Sequence, residues 1–503
     1  MIPGSQHQRG SYERVAVQRS GRYLYPDNSR VLLRPFLPGG EKRARDIIGR
    51  ILANKELEMV RGLDYVLQRY SHDCKDIRGL FFRRCDELEH LLPPGVELTP
   101  TQRLLIGGYF TSEYSLQSAA LFNPSIVPHP NQEGAPPGTM RFVMSLRVIG
   151  EGHISSIEFR EGLISEDGVL TYKAVSPCVT SPPIQYLRQR KEHLLSILTD
   201  LGLDSYLIDV VLNSLDEEFD VVDLAERLRH PEEWGCPVGK GMFECEIEQK
   251  AVRDAVLWTA ESNYMLEFSN SLNLSERVIF PSSRNERGGI EDARFVRFSD
   301  EDGHRLYYAT YTAFDGAFVL PHLIETEDFR SFRLRPMRGA AARDKGMALF
   351  PRKIDGKYVM LGRQGGSNLS IMFSDDVYHW EEYETLLEPE EPWQFVQIGN
   401  CGSPIETEAG WLVLTHGVGA VRNYCIGAAL LDLKNPRKVI GRLRVPLIEP
   451  EEDERDGYVP NVVYSCGSLV HNGWLILPYA VSDYATTDAR VRLDELLKRL
   501  VTG

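Results

Sequence analysis

Five short apolar segments recur along the chain and constrain its fold more than any other feature. Each is a β-rich run that opens with aromatic or apolar residues and ends with polar ones. The segments are RFVMSLRVIG (141–150), LYYATYTAF (306–314), YVMLGRQ (358–364), WLVLTHGV (411–418) and WLILPYAVSD (474–483). The last four begin roughly 50 to 65 residues apart, which is the spacing of β-propeller blades. The pattern predicts a mainly β protein built on a five-bladed β-propeller, with a β-sandwich as the alternative.

Two helical regions interrupt this pattern. Residues 41–70 and 75–92 place apolar residues three and four positions apart, as amphipathic helices do, and prolines with a glycine follow. A second helical block is predicted at 183–230. We therefore expect a helical N-terminal extension over 1–105 and a catalytic propeller domain over 106–495 that carries the second block as a helical insertion.

The charge and the termini limit the partners. The chain has 503 residues and a formal net charge of −15, so a broad basic face for nucleic acid or an anionic membrane is not expected. The first residues, MIPGSQHQRGSYERV, lack the apolar core of a signal peptide. No run reaches the roughly eighteen apolar residues of a membrane helix. A cytoplasmic location is predicted.

The cysteines do not form a metal or redox motif. The eight cysteines show no closely spaced pair, so we expect buried thiols in a reducing compartment. The dispersed cysteines and histidines form no metal motif, and we expect no metal and no organic cofactor.

Several distinctive motifs lie at the beginnings or ends of the repeated strands, where a propeller lines its central channel. They are GIEDARF (289–295), KGMALFPRK (345–353), QIGNCGSPIETEAGWLVLTHGV (397–418), IGAALLDLKNPRKVIGR (426–442) and YVPNVVYSCG (458–467). Together they resemble glycoside hydrolase family 130, over residues 110–485. That family comprises five-bladed propellers and contains β-mannoside phosphorylases and some β-mannosidases. The helical regions resemble the extensions of a longer subgroup.

The resemblance implies that Asp292 is the catalytic residue. Glycoside cleavage needs a proton for the departing oxygen, and a carboxylic acid in a shielded pocket can supply it. The segment EDAR resembles the family's motif of Glu, Asp, Pro and Arg, whose Asp is the general acid and acts through a sugar hydroxyl in the phosphorylases. Ala293 stands in place of the proline. Glu291 and Arg294 of the same motif are expected to bind substrate.

A phosphate site is implied by a second set of positions. Lys345, Arg363 and His416 match basic residues that hold phosphate in the resembling phosphorylases, and Tyr424 adds a hydroxyl donor. Fixed donors are needed because phosphate must lose its water. Gln397 stands where phosphorylases commonly have a lysine, which weakens the phosphate site.

Sugar recognition is expected from three further residues. Asn123, Arg147 and Asp483 resemble positions that bind the non-reducing mannose, and their side chains suit sugar hydroxyls. Trp393 and Tyr311 are candidates for stacking on a sugar face, and a core position is the alternative for each.

The predicted function is cleavage of β-mannosides by inorganic phosphate, with inversion, to α-mannose 1-phosphate. The partners are then a β-linked manno-oligosaccharide and phosphate. One role open to the helical extension is a contact between copies of this chain in a homo-oligomer. One alternative is an inverting β-mannosidase, with Glu406 as a candidate base. Another is a non-catalytic propeller that binds carbohydrate or protein.

Overall fold

The computed structural model describes residues 14–70, 76–200, 202–203, 206–230, 234–235, 242–316 and 319–502. Six of the eight cysteines are buried, and Cys74 and Cys236 lie outside the described residues. No helix within the described ranges is both long and apolar enough to cross a membrane.

The helices fall into two groups and a C-terminal helix. They are α1 (Gly40–Leu52), α2 (Glu56–Tyr70), α3 (Ile77–Glu87), α4 (Pro100–Tyr109), α5 (Lys191–Asp200), α6 (Tyr206–Asn213), α7 (Val221–Arg227), α8 (Met242–Ala260) and α9 (Leu493–Thr502).

The strands make up most of the remaining ordered chain. The first half contains β1 (Val17–Arg19), β2 (Val31–Pro35), β3 (Thr111–Ser115), β4 (Ala120–Pro128), β5 (Met140–Ile149), β6 (Ser155–Ile164), β7 (Leu170–Tyr172), β8 (Cys178–Val179), β9 (Gln185–Tyr186), β10 (Gln189–Arg190), β11 (Glu218–Phe219) and β12 (Tyr264–Glu267). The second half contains β13 (Val278–Ile279), β14 (Gly289–Ser299), β15 (Arg305–Phe314), β16 (Val319–Thr326), β17 (Ser331–Pro336), β18 (Ala348–Leu349), β19 (Tyr358–Gly362), β20 (Leu369–Ser374), β21 (Glu384–Leu387), β22 (Gln397–Asn400), β23 (Ile405–Thr407), β24 (Gly410–Val418), β25 (Tyr424–Leu431), β26 (Val439–Arg442), β27 (Val463–Tyr464), β28 (Leu469–His471), β29 (Trp474–Val481) and β30 (Ala485–Arg492).

The strand pairing forms antiparallel units of four strands. In the described part of the chain these are unit 1 (β4-β5-β6-β7), unit 2 (β14-β15-β16-β17), unit 3 (β18-β19-β20-β21), unit 4 (β22-β24-β25-β26) and unit 5 (β27-β29-β30-β1). The five recurrent segments of the sequence all fall on the second strand of a unit, namely β5, β15, β19, β24 and β29. The predicted mainly β architecture is confirmed.

Apolar side chains join successive units. Phe159 of unit 1 and Phe295 of unit 2 lie in one buried cluster. Similar clusters join units 2 and 3, units 3 and 4, and units 4 and 5. A further cluster joins Ile476 of unit 5 with Phe142 of unit 1. Strand β24, whose residues belong to two of these clusters, is buried along its whole length.

The N-terminal region is not purely helical. α1–α4 share their own apolar core. Before them, β1 pairs with β30, with Val17 opposite Val491, and β2 pairs with β3 and β8. The segment before the helices therefore belongs to the sheets. Its extended residues are too few to show a period of two, which hid them in the sequence.

The helical insertion is longer than expected. α5–α7 lie inside the predicted block at 183–230, but α8 continues it to Ala260. α8 contributes Val252 and Val256 to a core shared with α5–α7. The sequence of α8 mixes buried Cys, Gln and Thr with its apolar residues, so its helical period is weak.

Candidate active site

Asn123 and Asp292 occupy equivalent positions in units 1 and 2. Each lies in the first strand of its unit, where the register with the second strand shifts at a β-bulge. Each has a left-handed backbone, with φ of 49° for Asn123 and 55° for Asp292. Asn and Asp tolerate this conformation better than other non-glycine residues. Asn123 Nδ2 donates a hydrogen bond of 2.7 Å to Asp292 Oδ1, so the two bulges meet.

Arg147 and Lys345 hold the carboxylates of the EDAR segment. Arg147, on the second strand of unit 1, reaches Asp292 Oδ1 at 3.3 Å and Glu291 Oε1 at 2.9 Å. Lys345 Nζ lies 2.6 Å from Glu291 Oε2. Burial alone would lower the pKa of Arg147, but Asp292 and Glu291 outweigh it and raise that pKa. Arg147 is therefore charged, and the carboxylates of Glu291 and Asp292 fix its position.

Asp292 and Asp483 differ in their affinity for protons. Burial favours the neutral form of Asp292, but Arg147, Arg294, the Asn123 hydrogen bond and Lys345 outweigh it and hold the pKa of Asp292 below its usual value. Burial and the nearby charge of Asp292 raise the pKa of Asp483 to about 6. The site therefore holds one carboxylate that stays ionised and one that titrates close to neutral pH.

Arg294 is a buried cation that carbonyl, amide and hydroxyl oxygens hold in place. Its Nη1 donates to Asn400 Oδ1 at 2.7 Å and its Nη2 donates to the hydroxyl of Tyr464. Burial alone would lower the pKa of Arg294, but the Tyr464 hydroxyl, the Cys466 thiol and the Asp292 carboxylate outweigh it and raise that pKa. Within the described residues no carboxylate lies within 4.0 Å of it.

Asn400 and Tyr464 are site residues that the sequence analysis did not single out. Asn400 is 1% exposed, and its Nδ2 also donates to Gly346 O at 2.6 Å, next to Lys345. Both residues lie inside motifs that carry the family resemblance, IGNCG and VVYSCG. Asn400 ends strand β22, and its place within the IGNCG motif was the signal that the sequence offered.

His416 is neutral and orients Arg363. Its Nδ1–H donates to Asn400 O at 3.1 Å, which leaves Nε2 as an acceptor. Arg363 Nη1 and Gln397 Nε2 approach that nitrogen at 3.3 and 3.4 Å. Burial, Arg363 and Arg294 lower the pKa of His416 to about 3. The Tyr424 ring stacks on the imidazole, with ring centres 6.0 Å apart. Of the expected basic set, His416 therefore adds no positive charge.

Three other candidates have contacts that the sequence did not show. Tyr311 is 3% exposed and its hydroxyl donates to Glu286 at 2.7 Å, and the residue also lines a small cavity with Asp292. Trp393 Nε1 donates to Arg444 O at 3.0 Å, and its ring covers two glycines of β24 and β25. Glu406 forms a two-pronged surface ion pair with Arg352, at 2.6 and 2.9 Å. This ion pair holds the Glu406 carboxylate beside Arg352, and its role as a base in the hydrolase alternative stays a prediction.

A small cavity opens beside the EDAR segment. Its volume is about 10 Å³, and Asp292, Arg294, Asp344 and Gly346 are among its lining residues. Among the residues described, no group of three or more His, Cys, Asp or Glu side chains is placed to hold a metal ion. The cavity thus combines the carboxylates of Asp292 and Asp344 with the guanidinium group of Arg294.

Comparison with known proteins places this arrangement in a family. A family profile described as beta-1,4-mannooligosaccharide phosphorylase matches residues 261–501. A protein of Thermoanaerobacter named 1,2-beta-oligomannan phosphorylase is 36% identical over 218 residues, which are 42% of this chain and 72% of the relative. A Listeria innocua protein named beta-1,2-mannobiose phosphorylase is 32% identical over 230 residues, 44% of this chain and 63% of the relative.

Solved structures also match. The structure of the Listeria innocua beta-1,2-mannobiose phosphorylase in complex with beta-1,2-mannobiose aligns with a TM-score of 0.45 and 21% identity, covering 78% of this chain and 94% of that one. The matched sequence contains the EDAR segment, the Lys345 and Arg363 positions and the His416 strand. On the sequence relationship to the Thermoanaerobacter protein, the chain belongs to glycoside hydrolase family 130.

Proposed function

We propose that this protein is a β-mannoside phosphorylase that uses inorganic phosphate to release α-mannose 1-phosphate with inversion. The observation that carries the proposal is the set of cations around Asp292. Among the described residues, no carboxylate lies within 4.0 Å of Arg294 or Arg363. Lys345 forms an ion pair with one carboxylate in that part of the chain, that of Glu291. The names of the relatives, which differ in linkage and chain length, support the substrate class of β-mannosides.

Phosphate binds between Arg363, Lys345 and Arg294. Guanidinium groups suit phosphate because they offer several N–H donors in a fixed plane. His416 keeps Arg363 in place through its neutral Nε2, and Tyr424 supplies a hydroxyl next to it. Gln397 contributes an amide where a lysine would contribute charge, so the anion is held mainly by the arginines.

Mannose binds on the opposite side of Asp292. Asn123, Arg147 and Asp483 surround that carboxylate from units 1 and 5. Amide, guanidinium and carboxyl groups pair with hydroxyls that both donate and accept. The anomeric carbon then lies between the mannose contacts and the phosphate.

The reaction is a single displacement. A phosphate oxygen forms a bond to the anomeric carbon while the bond from that carbon to the departing oxygen breaks. The proton of Asp292 passes to the departing oxygen, through a sugar hydroxyl as the family resemblance implies. Because Arg147, Arg294 and Lys345 lower the pKa of Asp292, a bound phosphate dianion offsets their charge and raises its affinity for the proton.

The five units form a five-bladed propeller in this proposal. A buried cluster lies between each successive pair of units, and one joins unit 5 back to unit 1. A ring is the simplest arrangement that gives every unit two neighbours. The strands that carry Asn123, Asp292 and Asn400 are each the first strand of a unit and face the centre of that ring.

The reverse reaction tests this function. Purified protein is incubated with mannose and α-mannose 1-phosphate, and phosphate release and disaccharide formation are followed. We expect β-linked mannobiose with one phosphate released per bond formed. The β-anomer of mannose 1-phosphate should not react, because inversion fixes the donor configuration. Absence of synthesis from the α-anomer contradicts phosphorolysis.

A further inference from the structure

A carboxylate that has no role in the reaction described above lies beside the proposed phosphate site. Asp344 directly precedes Lys345, and it lines the small cavity that Asp292 and Arg294 also line. The cavity volume of about 10 Å³ is roughly what one water molecule needs, so one oxygen of a larger ligand fits there. Because like charges repel, a carboxylate at this position weakens anion binding unless the anion donates a hydrogen bond to it.

The loop that follows Arg363 holds Asp344 in place. Asp344 Oδ2 accepts a hydrogen bond of 3.0 Å from the backbone N–H of Gly365. Gly366 N donates to Arg363 O at 3.0 Å, which closes a turn. The backbone of Asp344 is left-handed, with φ of 64°, a conformation that Asp and Asn tolerate. Asp344 therefore joins the segment of Lys345 to that of Arg363, the two cations proposed to bind phosphate.

The second oxygen of the Asp344 carboxylate is accessible to a ligand. Within the described part of the chain, no group donates a hydrogen bond to Asp344 Oδ1, and no basic side chain lies within 4.0 Å of the carboxylate. The residue is exposed. An ionised carboxylate can only accept hydrogen bonds, so Oδ1 favours a ligand group that carries a proton.

Phosphate and sulfate differ in such a proton. Both are tetrahedral oxyanions, and guanidinium and ammonium groups bind both. Inorganic phosphate keeps a P–O–H group at neutral pH, whereas sulfate carries no proton. The P–O–H group can donate to Asp344 Oδ1, but a sulfate oxygen at the same place would face another acceptor with no proton between them. A site that combines attraction with repulsion of this kind discriminates between the two anions.

We propose that Asp344 makes the phosphate site selective for an anion that carries a proton, so that the site accepts phosphate and excludes sulfate. The inference rests on the proposed function. Arg363, Lys345 and Arg294 attract any tetrahedral oxyanion, and Asp344 accepts the hydrogen bond that only the protonated anion donates. The protonated oxygen then points towards Asp344, which leaves an unprotonated oxygen to attack the anomeric carbon. Asp344 is a specificity residue for the phosphate co-substrate.

The test compares sulfate inhibition of wild type and Asp344→Asn. Initial rates on β-mannobiose at constant ionic strength give the KM for phosphate and the inhibition constant of sulfate. We expect the ratio of the sulfate inhibition constant to the phosphate KM to fall about tenfold or more in Asp344→Asn, because the amide offers N–H donors to either anion. Asparagine suits the left-handed backbone, and its oxygen can still accept from Gly365 N.

Asp375→Asn is the matched control. Asp375 lies at the opposite end of the β19–β20 hairpin from Gly365, where it pairs with Lys357 at 3.2 Å and is 83% exposed. The substitution removes the same charge from the same unit. The ratio should therefore stay at the wild-type value.

An unchanged ratio in Asp344→Asn overturns the proposal, because a residue that only holds the two loops together would change the affinity for both anions equally. Isothermal titration calorimetry with phosphate and with sulfate gives a readout without turnover. Wild type should bind phosphate at least about tenfold more tightly than sulfate, and Asp344→Asn should lose that preference. Equal affinities in wild type, or no binding of phosphate, contradict the proposal. If wild type binds phosphate selectively but cleaves β-mannobiose without it, the proposed function fails while the selective anion site stands.

Discussion

Asn123 donates a 2.7 Å hydrogen bond to Asp292, and the two residues occupy the same bulged, left-handed position in the first strands of neighbouring units. A bulge turns a side chain out of the regular alternation of a strand and re-aims it. Two such bulges in contact point an amide and a carboxylate at one place. The orientation of the proposed acid is therefore set by the neighbouring unit as well as by its own.

Replacement of the proposed acid should abolish most turnover without unfolding the protein. We expect Asp292→Asn to lower kcat by a factor of about 10² to 10⁴, the usual contribution of a general acid. The amide keeps the size of the side chain and an oxygen for Arg147. Initial rates on β-mannobiose measure the effect, and Glu406→Gln, in the surface pair with Arg352, is the control. Full activity in Asp292→Asn would exclude the assignment.

Loss of Arg363 should weaken phosphate binding selectively. A charged hydrogen-bond partner contributes about 1.5–3 kcal/mol, so Arg363→Ala should raise the KM for phosphate about tenfold or more. The KM for the mannoside should change little. Arg352→Ala is the matched control because Arg352 pairs with Glu406 on the surface. A KM for phosphate that is equal in both variants would remove Arg363 from the phosphate site.

The neutral state of His416 should make the fold sensitive to mild acid. The pKa of His416 falls from 6.5 to about 3 in the folded chain, so below pH 6.5 the unfolded chain takes up a proton that the folded chain refuses. Stability is therefore lost as the pH falls from about 7 towards 3. From pH 7 to pH 5 this single group should cost about 2 kcal/mol.

Urea unfolding of wild type and His416→Gln at pH 7 and pH 5 measures that cost. We expect the stability advantage of wild type over the variant to shrink by about 2 kcal/mol at the lower pH. An advantage that is independent of pH would mean that folding does not lower the pKa of His416, so that the folded protein takes up this proton as readily as the unfolded chain.

An arginine of the N-terminal strand β1 should affect both the stability of the protein and mannoside binding near Asp483. Arg19, at the end of β1, contacts Glu454 and also reaches Glu451 Oε1 at 3.0 Å. Its loss leaves a buried carboxylate without its main cation, and Arg19→Ala should cost about 2–3 kcal/mol of stability. Because Glu454 holds Ser482, next to Asp483, the KM for mannosides should also rise.

Arg14 provides the control for that prediction. Its Nη1 lies 2.6 Å from Glu449 on the same acidic segment, but its side chain is 65% exposed, so Arg14→Ala should cost less than about 1 kcal/mol. Thermal unfolding and the KM for β-mannobiose are measured for both variants. Equal effects of the two substitutions would show that the Arg19 contact has no special role.

The sequence predicted strands where a segment recurred along the chain, and it predicted site residues where several motifs resembled one family. The five recurrent segments identified strands because each alternates or runs apolar over seven to ten residues. The motif residues Asn123, Arg147, Glu291, Asp292 and Arg294 do meet in space. Their meeting depends on bulges in first strands, which no pattern of single residues displays.

What the sequence could not show depends on contacts between distant segments. The low pKa of His416 follows from burial and from Arg363 and Arg294, which belong to other segments of the chain. The pairing of Glu406 with Arg352 joins residues 54 positions apart, so the sequence does not display the partner of this carboxylate. The pairing of β1 with β30 joins the two ends of the chain and could not be read from three residues.

The most direct test of the central claim is product formation from β-mannobiose with and without inorganic phosphate. We predict mannose 1-phosphate of the α configuration, seen by phosphorus NMR, only when phosphate is present, with the rate saturating in phosphate. Free mannose released at the same rate in phosphate-free buffer would contradict the account, because the cations around Asp292 would then have no part in the reaction.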